Sequence, residues 1–259
     1  MVEHVFFMHI AKTAGSYINK WLSSSLPDGV VIDHIESRLP PGASIEGLLE
    51  NGARIISGHI RYHHWLELTK RCEAKFVVVS AVREPIEQLA SHILWLDHYN
   101  DPKFRSEYLA LDESTRRVVD EIGATRLDSP GSLDTFMTNL SPRATSLLDN
   151  CQSRYFISGH GSPVGVCEPL TLGHAAFLDQ MLDRFDHIVL HNRLREGLIE
   201  LGEKLGVPLS FPEGKINTAK SGRSINLDSP LVRQVLGKRL LLDQWLWRRL
   251  SDKQLKLMV

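Results

Sequence analysis

The sequence predicts an α/β fold: one domain over residues 1–259, with a P-loop-like, doubly wound parallel sheet carrying helices on both faces. Two observations point there. Short apolar, β-branched runs recur along the chain, and the stretches between them are long and periodic enough to be crossover helices. A third observation concerns the ends of these runs, several of which break into small-residue or proline turns at the start of a helical pattern. Open α/β sheets bind their ligands at such strand ends.

The first strand is expected at residues 5–10 and runs straight into Ala11-Lys12-Thr13-Ala14-Gly15-Ser16, followed by a helical pattern from Tyr17. A strand that breaks into small residues at a helix N-terminus leaves backbone N–H groups aimed at one point, the geometry that holds a phosphate, and Lys12 adds a full positive charge. Further strands are expected at residues 30–35, 54–58, 75–81 and 187–191. The fourth ends at Ser80-Ala81-Val82-Arg83-Glu84-Pro85, where proline opens a helix with Ile86, Leu89, Ala90, Ile93 and Leu94 on one face. Arg83 at that strand end and Ser91 two turns into the helix can converge on a second anion, one by a forked charged contact and the other by a hydroxyl.

Residues 99–169 read as a less regular elaboration that shapes the ligand cleft rather than a second domain, with a charged helix at residues 112–121 and turns at Ser129-Pro130-Gly131-Ser132 and around Gly159 and Gly161. Beyond His191 an amphipathic helix presents Leu194, Leu198 and Leu201. A basic, small-residue loop containing Lys215, Lys220 and Arg223 follows, and then a terminal helix rich in leucine and tryptophan. That helix suits a core better than a membrane surface, and a homodimer contact is its other use.

Composition narrows the class. With 30 basic and 31 acidic residues the net charge is −1, so no global field advertises nucleic acid, and 42% apolar residues suffice for a core. Three cysteines without metal spacing, and an N-terminus without a signal-like apolar run, lead to the expectation of free thiols, a cytoplasmic location and no integral membrane segment.

The motifs resemble a known family. His9-Ile10-Ala11-Lys12-Thr13-Ala14-Gly15-Ser16 is similar to the 5′-phosphosulfate loop of sulfotransferases, and Val82 to His92, with Arg83 and Ser91 at the family's separation, is similar to their 3′-phosphate motif. Ser57-Gly58-His59-Ile60-Arg61-Tyr62 resembles a glycine-histidine segment of the carbohydrate branch, especially the heparan sulfate 2-O-sulfotransferases. Weaker echoes lie at residues 150–155, and at Asn217-Thr218-Ala219-Lys220 with Asp243 in the terminal helix. Ala11 and Ala14 depart from the family pattern, which favours proline or a variable residue at the first position and glycine at the second.

The resemblance implies transfer of a sulfuryl group from 3′-phosphoadenosine 5′-phosphosulfate (PAPS) to an acceptor hydroxyl on a sugar, glycolipid or other glycan. It implies adenosine 3′,5′-bisphosphate (PAP) as product and no metal. Donor contacts would come from Ala11, Lys12, Thr13, Ala14, Gly15, Ser16, Tyr17, Arg83, Ser91, Lys220, Ser221 and Arg223, with Lys12 at the bridging oxygen and His59 as base. His63, His64, Glu84 and Glu87 compete for the base role, while His9 is expected to point into packing. A P-loop kinase or hydrolase is the rival, although the Gly-Lys-hydroxyl spacing it needs is missing. A nucleotide- or glycan-binding module without chemistry is the other.

Overall fold

Five parallel strands form one sheet in the order β2-β3-β1-β4-β5. They are β1 (His4–Met8), β2 (Val31–Ile32), β3 (Ile55–Gly58), β4 (Phe76–Val82) and β5 (His187–Leu190). The computed structural model describes residues 4–39, 44–212 and 222–256, with side chains to residue 252. From β1 the chain steps out to β2 and back to β3, then crosses to β4 and β5 on the other side. The loops that follow β3, β1 and β4 are therefore neighbours, and they diverge where an open sheet admits a ligand.

All five expected strands are present. Only the second is much shorter than expected: after Ile32 the chain turns out of the sheet, with His34 in the left-handed region (φ 48°) and α2 (Ile35–Arg38) following at once. The turn drives Ile35 into the core, fully buried. An edge strand paired on one side gains little by continuing, whereas burying an isoleucine is worth about 1.5–3 kcal/mol.

Alternation along β1 assigns the two faces. Phe6, Met8 and Ile10 join Ile56, Val78, Val82 and Leu190 in one core, and Val5 and Phe7 join Ile55, Val79, Ala81 and Val189 in the other. The second core is covered by α1 (Gly15–Ser25), through Ile18, Trp21 and Leu22, and by the later helix that follows β5. Between β2 and β4 lie α3 (Ile45–Glu50) and α4 (Tyr62–Leu68). From α4, Trp65 stacks on Phe6 at 3.9 Å between ring centroids.

Within residues 99–169 the stretch 105–157 is helical and so more regular than expected, while residues 158–169 are irregular, with the expected turns at Gly159 (φ 137°) and Gly161 (φ 81°). After α5 (Pro85–Asp97) come α6 (Arg105–Ala110), α7 (Glu113–Ala124), α8 (Pro130–Thr138), α9 (Pro142–Leu148) and α10 (Cys151–Ile157). Ser129-Pro130 is not a turn. Ser129 accepts from the Ser132 N–H and Pro130 takes the first helical position, and the same device opens α9 at Ser141-Pro142. These helices enclose their own apolar cluster around Leu89, Ile93, Val118, Ile122, Leu133 and Leu148.

The remaining helices are α11 (Ala175–Leu182), α12 (Leu194–Leu205), α13 (Pro230–Gly237) and α14 (Leu241–Lys256). As expected, α12 buries Leu198 and Leu201, and α14 buries Leu242, Leu246 and Leu250 in the core that contains Phe6. Two of the weaker motif echoes meet here. The Asp243 carboxylate accepts the N–H groups of Gln152 (3.1 Å) and Ser153 (2.7 Å) at the start of α10, while Asn150 Oδ1 accepts those of Leu242 (2.8 Å) and Asp243 (3.0 Å) at the start of α14. Each helix caps the other, which satisfies orphan donors that burial would otherwise leave costly. No helix among the described residues is long and apolar enough to cross a membrane.

Candidate functional site

The phosphate-type loop lies between β1 and α1. Lys12 and Ala14 both adopt left-handed backbone (φ 66° and 75°), and Ala14 is the N-cap of α1 without a side-chain oxygen to cap it. The N–H groups of Gly15 and Ser16 open the helix and so lack intrahelical acceptors. Gly15 is required by its surroundings, because a Cβ there would stand 1.9 Å from the His9 ring. His9 itself is buried, as the sequence suggests, and its N–H extends the β1–β3 pairing to the Gly58 carbonyl at 3.0 Å.

Charge concentrates at the three adjacent strand ends. Burial, and then the nearby Arg83 guanidinium, lower the Lys12 ammonium from its ordinary value. Two cations that repel one another beside an uncapped helix N-terminus are the electrostatic signature of a place for an anion. The backbone of Arg83 is fixed by Gln152, whose amide accepts the Arg83 N–H at 2.8 Å and donates to the Arg83 carbonyl at 2.9 Å. Its guanidinium donates through Nε and Nη2 to one Glu87 oxygen, at 3.2 and 3.0 Å. Ser91, partly buried, stands one turn beyond Glu87 on α5.

His59 follows β3. Its Nδ1 donates to the His9 carbonyl at 2.7 Å, and its backbone N–H donates to Glu36 Oε2 at 3.0 Å. Burial lowers its basicity, opposed by the Glu36 charge and the bond to His9. The ring is thus neutral near pH 7 and carries its lone pair on Nε2. The competing histidines sit elsewhere: His63 lies beside Tyr62 and Phe177 on α4, and His64 is exposed near His160. The competing carboxylates are occupied as well. Glu84 caps α5 by accepting the Glu87 N–H at 2.8 Å, and Glu87 holds Arg83.

Three expected donor contacts come out differently. The Thr13 hydroxyl is fully buried and donates to the Ile10 carbonyl at 2.9 Å, because an inward hydroxyl must find a partner, so Thr13 offers the site only its backbone. The Tyr17 hydroxyl donates to the Pro212 carbonyl at 3.0 Å. Arg223 is committed to Asp97 at the far end of α5: Nε donates there at 2.9 Å, Nη2 donates there also, and the carbonyls of Thr125 (2.7 Å) and Ile122 (2.9 Å) take further donors. The 13 residues of α5 put that end about 20 Å from Arg83. Lys220 and Ser221 lie outside the described residues.

Other residues of the site carry no obvious sequence signal. Gln88, fully buried, donates to the Ala11 carbonyl at 2.9 Å and so ties α5 to the loop. His92, one turn on, is buried with its basicity pushed down to about 3, first by burial and then by the charges of Lys12 and His59. Spacing at i, i+4 on the face of α5 that meets the loop is the clue that could have found both. Arg61, beyond His59, is held by the Ser146 carbonyl and hydroxyl (3.2 and 2.9 Å) and the Ser158 hydroxyl (3.0 Å), linking the loop after β3 to α9 and the end of α10.

A cavity of about 530 Å³ lies apart from all this, beside Asp97, Asp101, Asp120 and Arg223. The strand ends are the better candidate, since they combine unsatisfied backbone donors, convergent cations and a positioned imidazole. No family model matches the chain, and no curated protein is significantly similar to it.

Proposed function

We propose that the protein is a PAPS-dependent O-sulfotransferase. The observation that carries this reading is the convergence of Lys12 and Arg83 at the ends of adjacent strands, beside the uncapped start of α1, with the Nε2 lone pair of His59 at the next strand end.

The residues present fit a nucleotide with phosphates at both 5′ and 3′ positions. Gly15, Ser16 and Lys12 would hold the 5′ side, where backbone donors and one charge meet, and Arg83 with Ser91 would hold the 3′ side. The bound donor supplies an activated SO₃ unit. Lys12 would neutralise the charge that develops on the departing phosphate, and His59 would take the acceptor hydroxyl's proton at Nε2 as the new S–O bond forms. Such a transfer places little covalent demand on the protein, so position and electrostatics carry it, by analogy with phosphoryl transfer. The motif resemblance adds the acceptor class, a hydroxyl on a sugar, glycolipid or other glycan.

The test is turnover. Purified protein, PAPS and a panel of glycan, glycolipid and small hydroxyl acceptors are incubated with chelator, and products are read by mass spectrometry for one added SO₃. Lys12→Ala should abolish any product found. Tight PAP binding without a product on any acceptor would instead favour a binding module, and Mg²⁺-dependent ATP turnover would favour a kinase or hydrolase.

A further inference from the structure

The turn that cuts β2 short brings His34 and Glu36 to the end of β3. His34 Nδ1 lies 3.2 Å from Glu36 Oε1, and one ligand atom from each of His34, Glu36 and His59 falls within a 4.8 Å group. In a tetrahedral site with metal–ligand bonds near 2.0–2.1 Å, ligand atoms stand about 3.3 Å apart. The His34–Glu36 pair already has that spacing, and a ring nitrogen of His59 lies within 4.8 Å of the ligand atoms of both.

Two hydrogen bonds orient this group. The bond from His59 Nδ1 to the His9 carbonyl (2.7 Å) leaves Nε2 as the ligating nitrogen, the arrangement by which metal-binding imidazoles are usually fixed. The His59 backbone N–H engages Glu36 Oε2 (3.0 Å) and leaves Oε1 for an ion. His9 adds a third imidazole, its ring centroid 4.1 Å from that of His59 and 5.8 Å from that of His34, and its buried Nδ1 has no hydrogen-bond partner among the described residues.

We propose that His34, Glu36 and His59 form a site for one divalent transition-metal ion of the Zn²⁺ class, with a fourth position open to water. Two imidazoles and one carboxylate suit Zn²⁺ or Co²⁺, whereas Mg²⁺ and Ca²⁺ select oxygen ligands throughout. The ion would occupy the same His59 Nε2 that accepts the proton in the transferase reading, so Zn²⁺ would act as an inhibitor. That consequence rests on the reading above; the binding itself does not.

The test uses the full chain stripped with chelator. Zn²⁺ is titrated calorimetrically, and Co²⁺ by its visible absorption, into wild type, His34→Ala and Glu36→Gln, each checked for fold by circular dichroism and for PAP binding. Wild type should take up one equivalent that both variants lose or bind at least about tenfold more weakly, with Mg²⁺ unable to compete. Turnover, where an acceptor is known, should fall with Zn²⁺ in wild type and resist it in His34→Ala. Equal Zn²⁺ binding by all three proteins, or no saturable equivalent in wild type, overturns the site. Loss of PAP binding alone counts against the transferase reading and leaves the metal site standing.

Discussion

Glu87→Gln should tighten the binding of PAP. In the structure both donors that Arg83 turns toward α5 rest on a single Glu87 oxygen, at 3.0 and 3.2 Å, and the pair is partly exposed, with Arg83 24% and Glu87 46% accessible. An ion pair so exposed is worth about 0.2–1 kcal/mol. A phosphate arriving at Arg83 must share or displace that carboxylate and also meets its like charge. Removing the charge should therefore return up to about 1 kcal/mol, a Kd lower by about two- to fivefold, with the gain largest at low salt. Arg83→Ala removes charge-assisted bonds worth about 1.5–3 kcal/mol and should weaken binding by about ten- to a hundredfold. Calorimetry on the two single variants and the double variant closes the cycle. In the Arg83→Ala background the Glu87→Gln gain should shrink to the part owed to like-charge repulsion alone. Weaker binding by Glu87→Gln with an intact fold, or an equal gain with and without Arg83, would refute the assignment of Arg83 to the phosphate.

Three further outcomes follow from particular residues. His59→Ala should keep PAP affinity within a few-fold while lowering turnover by about two orders of magnitude or more, whereas Lys12→Ala should damage both; near-normal turnover in His59→Ala would move the base elsewhere. Ala14→Gly should stabilise the protein by up to about 1 kcal/mol in urea unfolding, since φ 75° costs alanine about 1–2 kcal/mol and glycine's greater freedom when unfolded returns part of that. His92 is held neutral in the fold, titrating at about 3 against 6.5 ordinarily, so its contribution is complete above pH 6.5 and drains away as pH falls toward 3. His92→Gln should therefore flatten the acid limb of stability against pH by up to about 1.4 kcal/mol per unit, and an unchanged slope between pH 6 and 4 would show that His92 is already charged.

Much of the fold was legible because its strands are buried on both faces, and runs such as Phe76 to Val79 leave little choice of structure. The loop at Lys12 and the strand end at Arg83 were legible for a related reason, since small residues and proline mark where backbone donors are released. What the sequence hid is long-range. Nothing local says that Arg223 will spend its donors on Asp97, or that Thr13 will turn its hydroxyl inward to a strand-end carbonyl. Ser129-Pro130 reads as a turn in the sequence because the same residues serve a turn and a capped helix start, and the apolar cluster that its helix helps enclose decides for the helix. His34 and Glu36 were invisible for the same kind of reason: they reach His59 only because β2 stops at Ile32.

In the proposed transferase, Lys12 and Arg83 hold two phosphates of one nucleotide. The most direct measurement is a calorimetric titration of the chelator-treated protein with PAP and, separately, with AMP. PAP should bind with a Kd in the roughly micromolar range without added metal, and AMP, which lacks the 3′-phosphate, should bind much more weakly. Equal affinity for the two nucleotides, or PAP binding that appears only with Mg²⁺, would contradict it.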